Sequence, residues 1–206
     1  MDLIRKLFGP SKAEVWKQLS DQIHAEFLPG SFTTADRVVA QVDTWTVTLD
    51  TVSEPVGRAM VTYTRLRAPF VNHDNFRFLL YDRSLLDEIG KRLGLQDIEI
   101  GEPEFDARFI IQGNNAAEVR TFLSDTDLRD LIARQEGIHF EIRDDEGWFG
   151  EAFPQGVDEL YFRTAGVMRD LPHLKELYAL FAEALHQLSR IGSTYENEPP
   201  TLERKK

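Results

Sequence analysis

"TWTVTLDTVSEPVGRAMVTYTRLR", Thr44 to Arg67, decides the fold class. Its first seven residues alternate strictly. Trp45, Val47 and Leu49 project to one side of an extended chain and Thr46, Thr48 and Asp50 to the other, because successive strand side chains point to opposite faces. "RAMVTYTRLR", 58–67, is a second extended run rich in β-branched and aromatic residues. Between them "SEPVG", 53–57, reads as a hairpin loop, and the link is too short for a parallel crossover. With "RVVAQV", 37–42, just upstream, the three runs predict an antiparallel meander.

Working outward, Ser11 and Glu14 form a capping box that opens a helix, and Pro10 stops any earlier helix from running through. Val15, Trp16, Leu19, Ile23 and Phe27 recur at helical spacing, and "PGS", 29–31, ends the segment. Downstream, 75–82 reads as a strand and 84–94 as a helix opened by Ser84 and closed by Gly94. "EFDARFIIQG", 104–113, alternates as a strand. Phe105, Ala107, Phe109 and Ile111 share one face, and Asp106, Arg108, Ile110 and Gln112 the other. Asn115 then caps a helix over 116–123, with Glu118 as capping-box partner, and another helix follows over 126–135. Strands at 138–144, 147–153 and 159–166 predict a second meander. The last helix has Asp170 as its cap and Pro172 in its first turn. Its apolar stripe runs through Leu171, Leu174, Tyr178, Phe181, Leu185 and Leu188. The expected class is α+β, with antiparallel meander sheets in both halves, packed helices and a long C-terminal helix. Residues 1–193 are expected to form a single domain, or two intimate lobes over 1–94 and 95–193, and 194–206 a disordered tail.

Composition excludes several kinds of chemistry. The chain has 206 residues, 42% hydrophobic and 29% charged, which is ordinary for a globular protein able to bury a core. A formal net charge of -11 repels phosphate backbones, so nucleic acid is not an expected partner. Cysteine is absent, which removes disulfides, thiolate catalysis and cysteine-ligated metals and fits a cytoplasmic location. No run approaches the length of a transmembrane segment. The N-terminal apolar residues Leu3, Ile4, Leu7 and Phe8 are interrupted by Arg5 and Lys6. They form no signal sequence and would at most support weak peripheral membrane attachment.

No phosphate loop, zinc-binding helix or nucleophile elbow is present, so no catalytic, cofactor-binding or metal-binding residue is assigned and no cofactor is expected. The five histidines lack ligand spacing, and Asp144, Asp145 and Glu146 read as a turn rather than a cation site. Arg65 and Arg67, two residues apart on a strand, share a face. They could hold an anion, or pair across strands with Asp50 or Glu54. Asp106 and Arg108 are a similar pair. A catalytic aspartate needs a second acid, base or metal beside it, and none is local, so Asp106 is expected to be structural.

"LFGPSKAEVWKQLS", "WTVTLD", "TYTRLRAPF", "LGLQDIEIGEPEFDARFIIQGNN", "ELYFRTAGV" and "LYALFAEALHQL" together resemble a family of uncharacterised bacterial proteins of unknown function. The resemblance spans about residues 3–193 and is most specific in the central FDxxFxIxG-type motif. It implies one conserved-length architecture and carries over no catalytic residue. The function expected is a non-enzymatic cytoplasmic module that binds a partner protein or a small ligand. Its contacts would come from Asp50, Arg65, Arg67, Asp106 and Arg108. The alternative is a hydrolase-type enzyme with an acid/arginine cleft between the two halves. The oligomeric state is left open.

Overall fold

The computed structural model describes residues 9–32, 34–85, 96–144, 153–198 and 200. Its strands are β1 (Glu26–Leu28), β2 (Arg37–Val42), β3 (Trp45–Val56), β4 (Ala59–Val71), β5 (Phe78–Asp82), β6 (Gln96–Asp97), β7 (Phe109–Gly113), β8 (His139–Arg143) and β9 (Val157–Ala165). Its helices are α1 (Lys12–Ile23), α2 (Pro103–Arg108), α3 (Ala116–Phe122), α4 (Thr126–Ala133) and α5 (Leu171–Arg190). The class is α+β. All nine strands join one antiparallel sheet in the order β1-β2-β3-β4-β9-β8-β5-β7-β6. The first meander therefore continues directly into the second through the β4–β9 pairing.

Alternation decides what each face carries. Trp45, Val47 and Leu49 of β3, Leu66, Ala68 and Phe70 of β4, and Phe140, Leu160 and Phe162 of β8 and β9 are buried in one hydrophobic core. The helices supply the other side of that core. Trp16 and Leu19 come from α1, Phe122 from α3, Leu128 and Ile132 from α4, and Leu174, Leu177, Phe181, Leu185 and Leu188 from α5. Two contacts fix how α5 lies. The Tyr178 hydroxyl donates to the Val38 carbonyl on β2 (2.9 Å), and the Phe181 ring meets Phe140 on β8 at 6.0 Å. The helix thus crosses the sheet from its first strands to its second meander. Asp170 caps it through the His173 amide, as its sequence requires.

Four local expectations are corrected. First, residues 104–108 are not strand. Pro103 to Arg108 form α2, and the strand begins only at Phe109. Phe105 and Phe109, four residues apart, meet ring to ring at 4.6 Å across the helix–strand junction. Pro103 at the first helical position was the signal, since its ring fixes φ for a helix start and its missing N–H costs nothing there. Second, 53–57 is not a loop. The β3–β4 register runs on to Val56 opposite Ala59, leaving Gly57 and Arg58 as the turn. Pro55 is tolerated because β2 pairs with β3 only as far as Leu49, so no neighbour needs its N–H. Third, α1 ends at His24, in the left-handed region (φ 55°), and Phe27 lies on β1. Fourth, residues 194–198, in the tail expected to be disordered, make defined contacts. Thr194 is buried, the Thr44 hydroxyl donates to the Glu196 carbonyl (2.6 Å), and His73 pairs with Glu198 (2.7 Å). The predicted helix over 84–94 is described only as a short 3-10 turn at Arg83–Leu85. Its remainder, most of the 147–153 strand and the apolar N-terminus lie outside the described residues.

Candidate functional site

The sheet face turned away from the core carries an ordered charge lattice. Register sets it out row by row. Asp50, Arg65, Arg163 and His139 lie side by side across β3, β4, β9 and β8, and Arg67, Tyr161 and Glu141 form the next row. Two guanidiniums directly opposite each other would destabilise a sheet without counter-charges. The counter-charges are present. Asp50 Oδ1 accepts from Arg65 Nε (2.7 Å), and Asp50 Oδ2 accepts from Arg65 Nη2 (2.8 Å) and Arg67 Nη2 (3.1 Å). Arg163 pairs with Glu54 and lies over the Tyr63 ring. Glu159, almost wholly buried, accepts from Arg143 Nε (2.9 Å) and Nη2 (2.6 Å) and stands 3.7 Å from Arg67. Arg143 in turn stacks on Tyr161 at 3.6 Å. Burial works against charge on Arg65, but its bonds to Asp50 and the negative field there outweigh it, so its pKa is raised above the ordinary value. Burial also raises the Tyr161 hydroxyl, against the field of Arg143 and Arg163.

Asp50, Arg65 and Arg67 are therefore brought together, and Asp106 and Arg108 are not with them. The latter two sit beside β7, four strand spacings from β4, or roughly 19 Å at about 4.8 Å per strand. Asp106 lies in α2, where its carboxylate accepts from the amides of Ile100 (3.0 Å) and Gly101 (2.9 Å). Gly101, with φ 90°, makes the turn those two amides belong to. Arg108 ends α2. It donates to the carbonyls of Ala133 and Gln135 and pairs with Asp82 (3.3 Å), tying α2 to the end of α4.

A different set of residues forms a cleft of about 570 Å³ at the β6–β7 end of the sheet. β6 is only two residues long, paired with Gln112 and Gly113, so most of β7 lines the opening. Phe109 and Ile111, both in the core, and Ile110, on the opposite face of β7, border it, with Ile98 beside them. Arg83, Asp97, Glu99, Asp106 and Arg120 complete the lining. Arg83 donates to the carbonyls of Ala107 (3.1 Å) and Asp106 (3.2 Å), and Arg120 Nε to the Glu99 carbonyl (2.9 Å). Asp97 accepts from Gln112 Nε2 (2.8 Å). Tyr81, wholly buried and paired with Ile110, has a hydroxyl with no hydrogen-bond partner among the described residues. Burial raises its pKa, the Asp97 charge adds to the rise, and Arg83 opposes it. Of the residues singled out in the sequence only Asp106 borders this cleft. The others come from β5–β7 pairing and from α3, and no spacing along the chain brings Arg83 to Arg120.

Comparison with models of known protein families, with curated proteins and with solved structures gave no match.

Proposed function

We propose that the protein is a non-enzymatic cytoplasmic module that binds a small ligand in the cleft at the β6–β7 end of the sheet. One observation carries the reading: both candidate acids are engaged by structural donors. Asp50 takes three N–H donors from two arginines, and Asp106 takes two backbone amides. A general base needs a lone pair aimed at a substrate proton, and both carboxylates are oriented by structural donors instead. The cleft itself has the size of small-molecule sites, and charged and apolar residues share its lining. The absence of cysteine accords with a reducing compartment. No described helix is long and apolar enough to cross a membrane. Nucleic acid is not proposed as a ligand, because the formal charge of -11 opposes it.

A protein partner is the second reading. It is favoured by Met60 and Phe32, whose side chains stand 66% and 111% exposed on the β3–β4 hairpin end and on the loop after β1.

The test is a protein-observed NMR screen of a small-molecule library, run beside a panel of generic hydrolase substrates. Saturable shifts at Ile98, Ile110 and Ile111, with no turnover, are the expected result. Turnover that Asp50→Asn or Asp106→Asn abolishes without lowering the melting temperature would overturn it.

A further inference from the structure

From the way its two arginines are held, we infer that the cleft takes a small amphipathic monocarboxylate, such as a medium-chain fatty acid anion. This rests on the binding reading above. Elsewhere on the sheet arginines meet carboxylates: Arg65 and Arg67 meet Asp50, Arg143 meets Glu159, and Arg163 meets Glu54. Arg83 and Arg120 differ. Among the described residues neither has a carboxylate within ion-pairing distance, and both are pinned by backbone carbonyls instead. A neutral acceptor orients a guanidinium without cancelling its charge. Among the described residues no acceptor takes Arg83 Nη1 or the terminal nitrogens of Arg120, and a carboxylate is the partner whose geometry matches such a fork.

The acids of the lining do not occupy that place. The Asp106 carboxylate is turned to the amides of Ile100 and Gly101, and Asp97 accepts from Gln112. They do set the ligand's charge. Two cations against Asp97, Glu99 and Asp106 leave the lining with one net negative charge (2 − 3 = −1), within a chain of net -11. A second ligand charge would add repulsion without adding a third guanidinium, so a monocarboxylate is favoured over a phosphate dianion. Ile98, Phe109, Ile110 and Ile111 supply the apolar part of the lining, which suits an apolar remainder of the ligand.

Octanoate, octanol, octylamine and octyl phosphate separate the alternatives when titrated into the whole protein by calorimetry and NMR. Octanoate is expected to bind saturably, shifting Ile98, Ile110 and Ile111, and at least about tenfold more tightly than octanol, the worth of one charge-assisted contact. Arg120→Gln, on an exposed helix position, is expected to erase that preference while leaving the fold and the weak octanol binding intact. Arg83→Gln, as a second variant, should weaken octanoate in the same direction. Equal affinity for octanoate and octanol, tighter binding of octylamine or octyl phosphate, or an unchanged octanoate affinity in both variants would overturn the monocarboxylate assignment and leave the ligand-binding cleft standing. Failure of all four compounds, and of the library, to perturb the lining would overturn both.

Discussion

At Asp50 one carboxylate with 5% exposure balances two guanidiniums. Removing it leaves the Arg65 guanidinium, poorly hydrated, without its acid and Arg67 facing the more distant Glu159. Asp50→Ala is expected to cost about 3–5 kcal/mol by urea denaturation, the range for breaking a buried pair from one side. Replacing the pair together, as Asp50→Leu with Arg65→Met, should recover most of that loss, because the Arg65 charge is removed with its acid and Arg67 still faces Glu159. Asp106 is a milder case. Its two amide bonds act as a cap on the turn before α2, and Asp106→Ala should cost about 1–2 kcal/mol. Acid stability reads out another carboxylate. Asp36 accepts from the Gly30 amide (2.8 Å) and pairs with Lys12 (3.0 Å). The Gly30 bond is the largest influence, partial burial opposes it, and Lys12 adds to it, so the net pKa is lowered below the ordinary 3.8. A lowered folded pKa contributes stability that is full above the unfolded value and is lost as pH falls through the folded one. From about pH 4 downward, Asp36→Asn should therefore lose stability less steeply than the parent. Buried Asp158 works the other way. Burial raises its pKa, so its term favours folding at acid pH and fades as pH rises through the carboxylate range.

Among the elements, α5 bears most on the core. Phe181 is wholly buried at its middle, against Phe140 of the sheet. Phe181→Ala is expected to cost about 3–5 kcal/mol through lost burial and the cavity left behind, read from the shift in urea midpoint. A near-unchanged midpoint would show that α5 is not the lid of the core. This helix was legible in the sequence, as were the start of α1 and the cores of β2–β4, because each couples a strong period to an end signal: Ser11 and Glu14, Asp170 and Pro172, or the two-residue alternation around Trp45; the end of α1 and the length of the β3–β4 hairpin were not. α2 was not legible. "EFDAR" fits both a strand of period two and a single helical turn, and Phe105 and Phe109 are spaced to suit either. The Asp50–Arg65–Arg67 group could be anticipated because β3 and β4 are neighbours in the chain. Glu159 and Arg143 could not, since they join it only through the β4–β9 ladder, about 90 residues away in sequence. The cleft was illegible for the same reason: Arg83, Ile110 and Arg120 meet by tertiary pairing alone.

Across the whole molecule, the sheet order shows how the two halves of the chain depend on each other. β4 has β3 on one side and β9 on the other. β5, the last described strand before residue 94, pairs only with β7 and β8, both from beyond it. The core repeats the pattern, since α5 packs its apolar stripe under β2–β4 as well as β8 and bonds to Val38. A fragment 1–94 would keep the β2–β4 meander and α1 but expose Trp45, Val47, Leu49, Leu66 and Phe70 to water, with β5 unpaired on both edges. A fragment 95–193 would keep α5 but lose β4, the inner neighbour of β9, and β5, the link between β8 and β7. Neither half could bury enough apolar surface to offset its chain entropy. Separately expressed, each is expected to lack dispersed amide resonances and to unfold without a cooperative transition. Mixed in equal amounts from denaturant, they should recover the sheet together, because every missing ladder partner lies in the other fragment. If either fragment alone gives a dispersed spectrum and a cooperative melt, the chain is two lobes joined at the β4–β9 ladder rather than one folding unit.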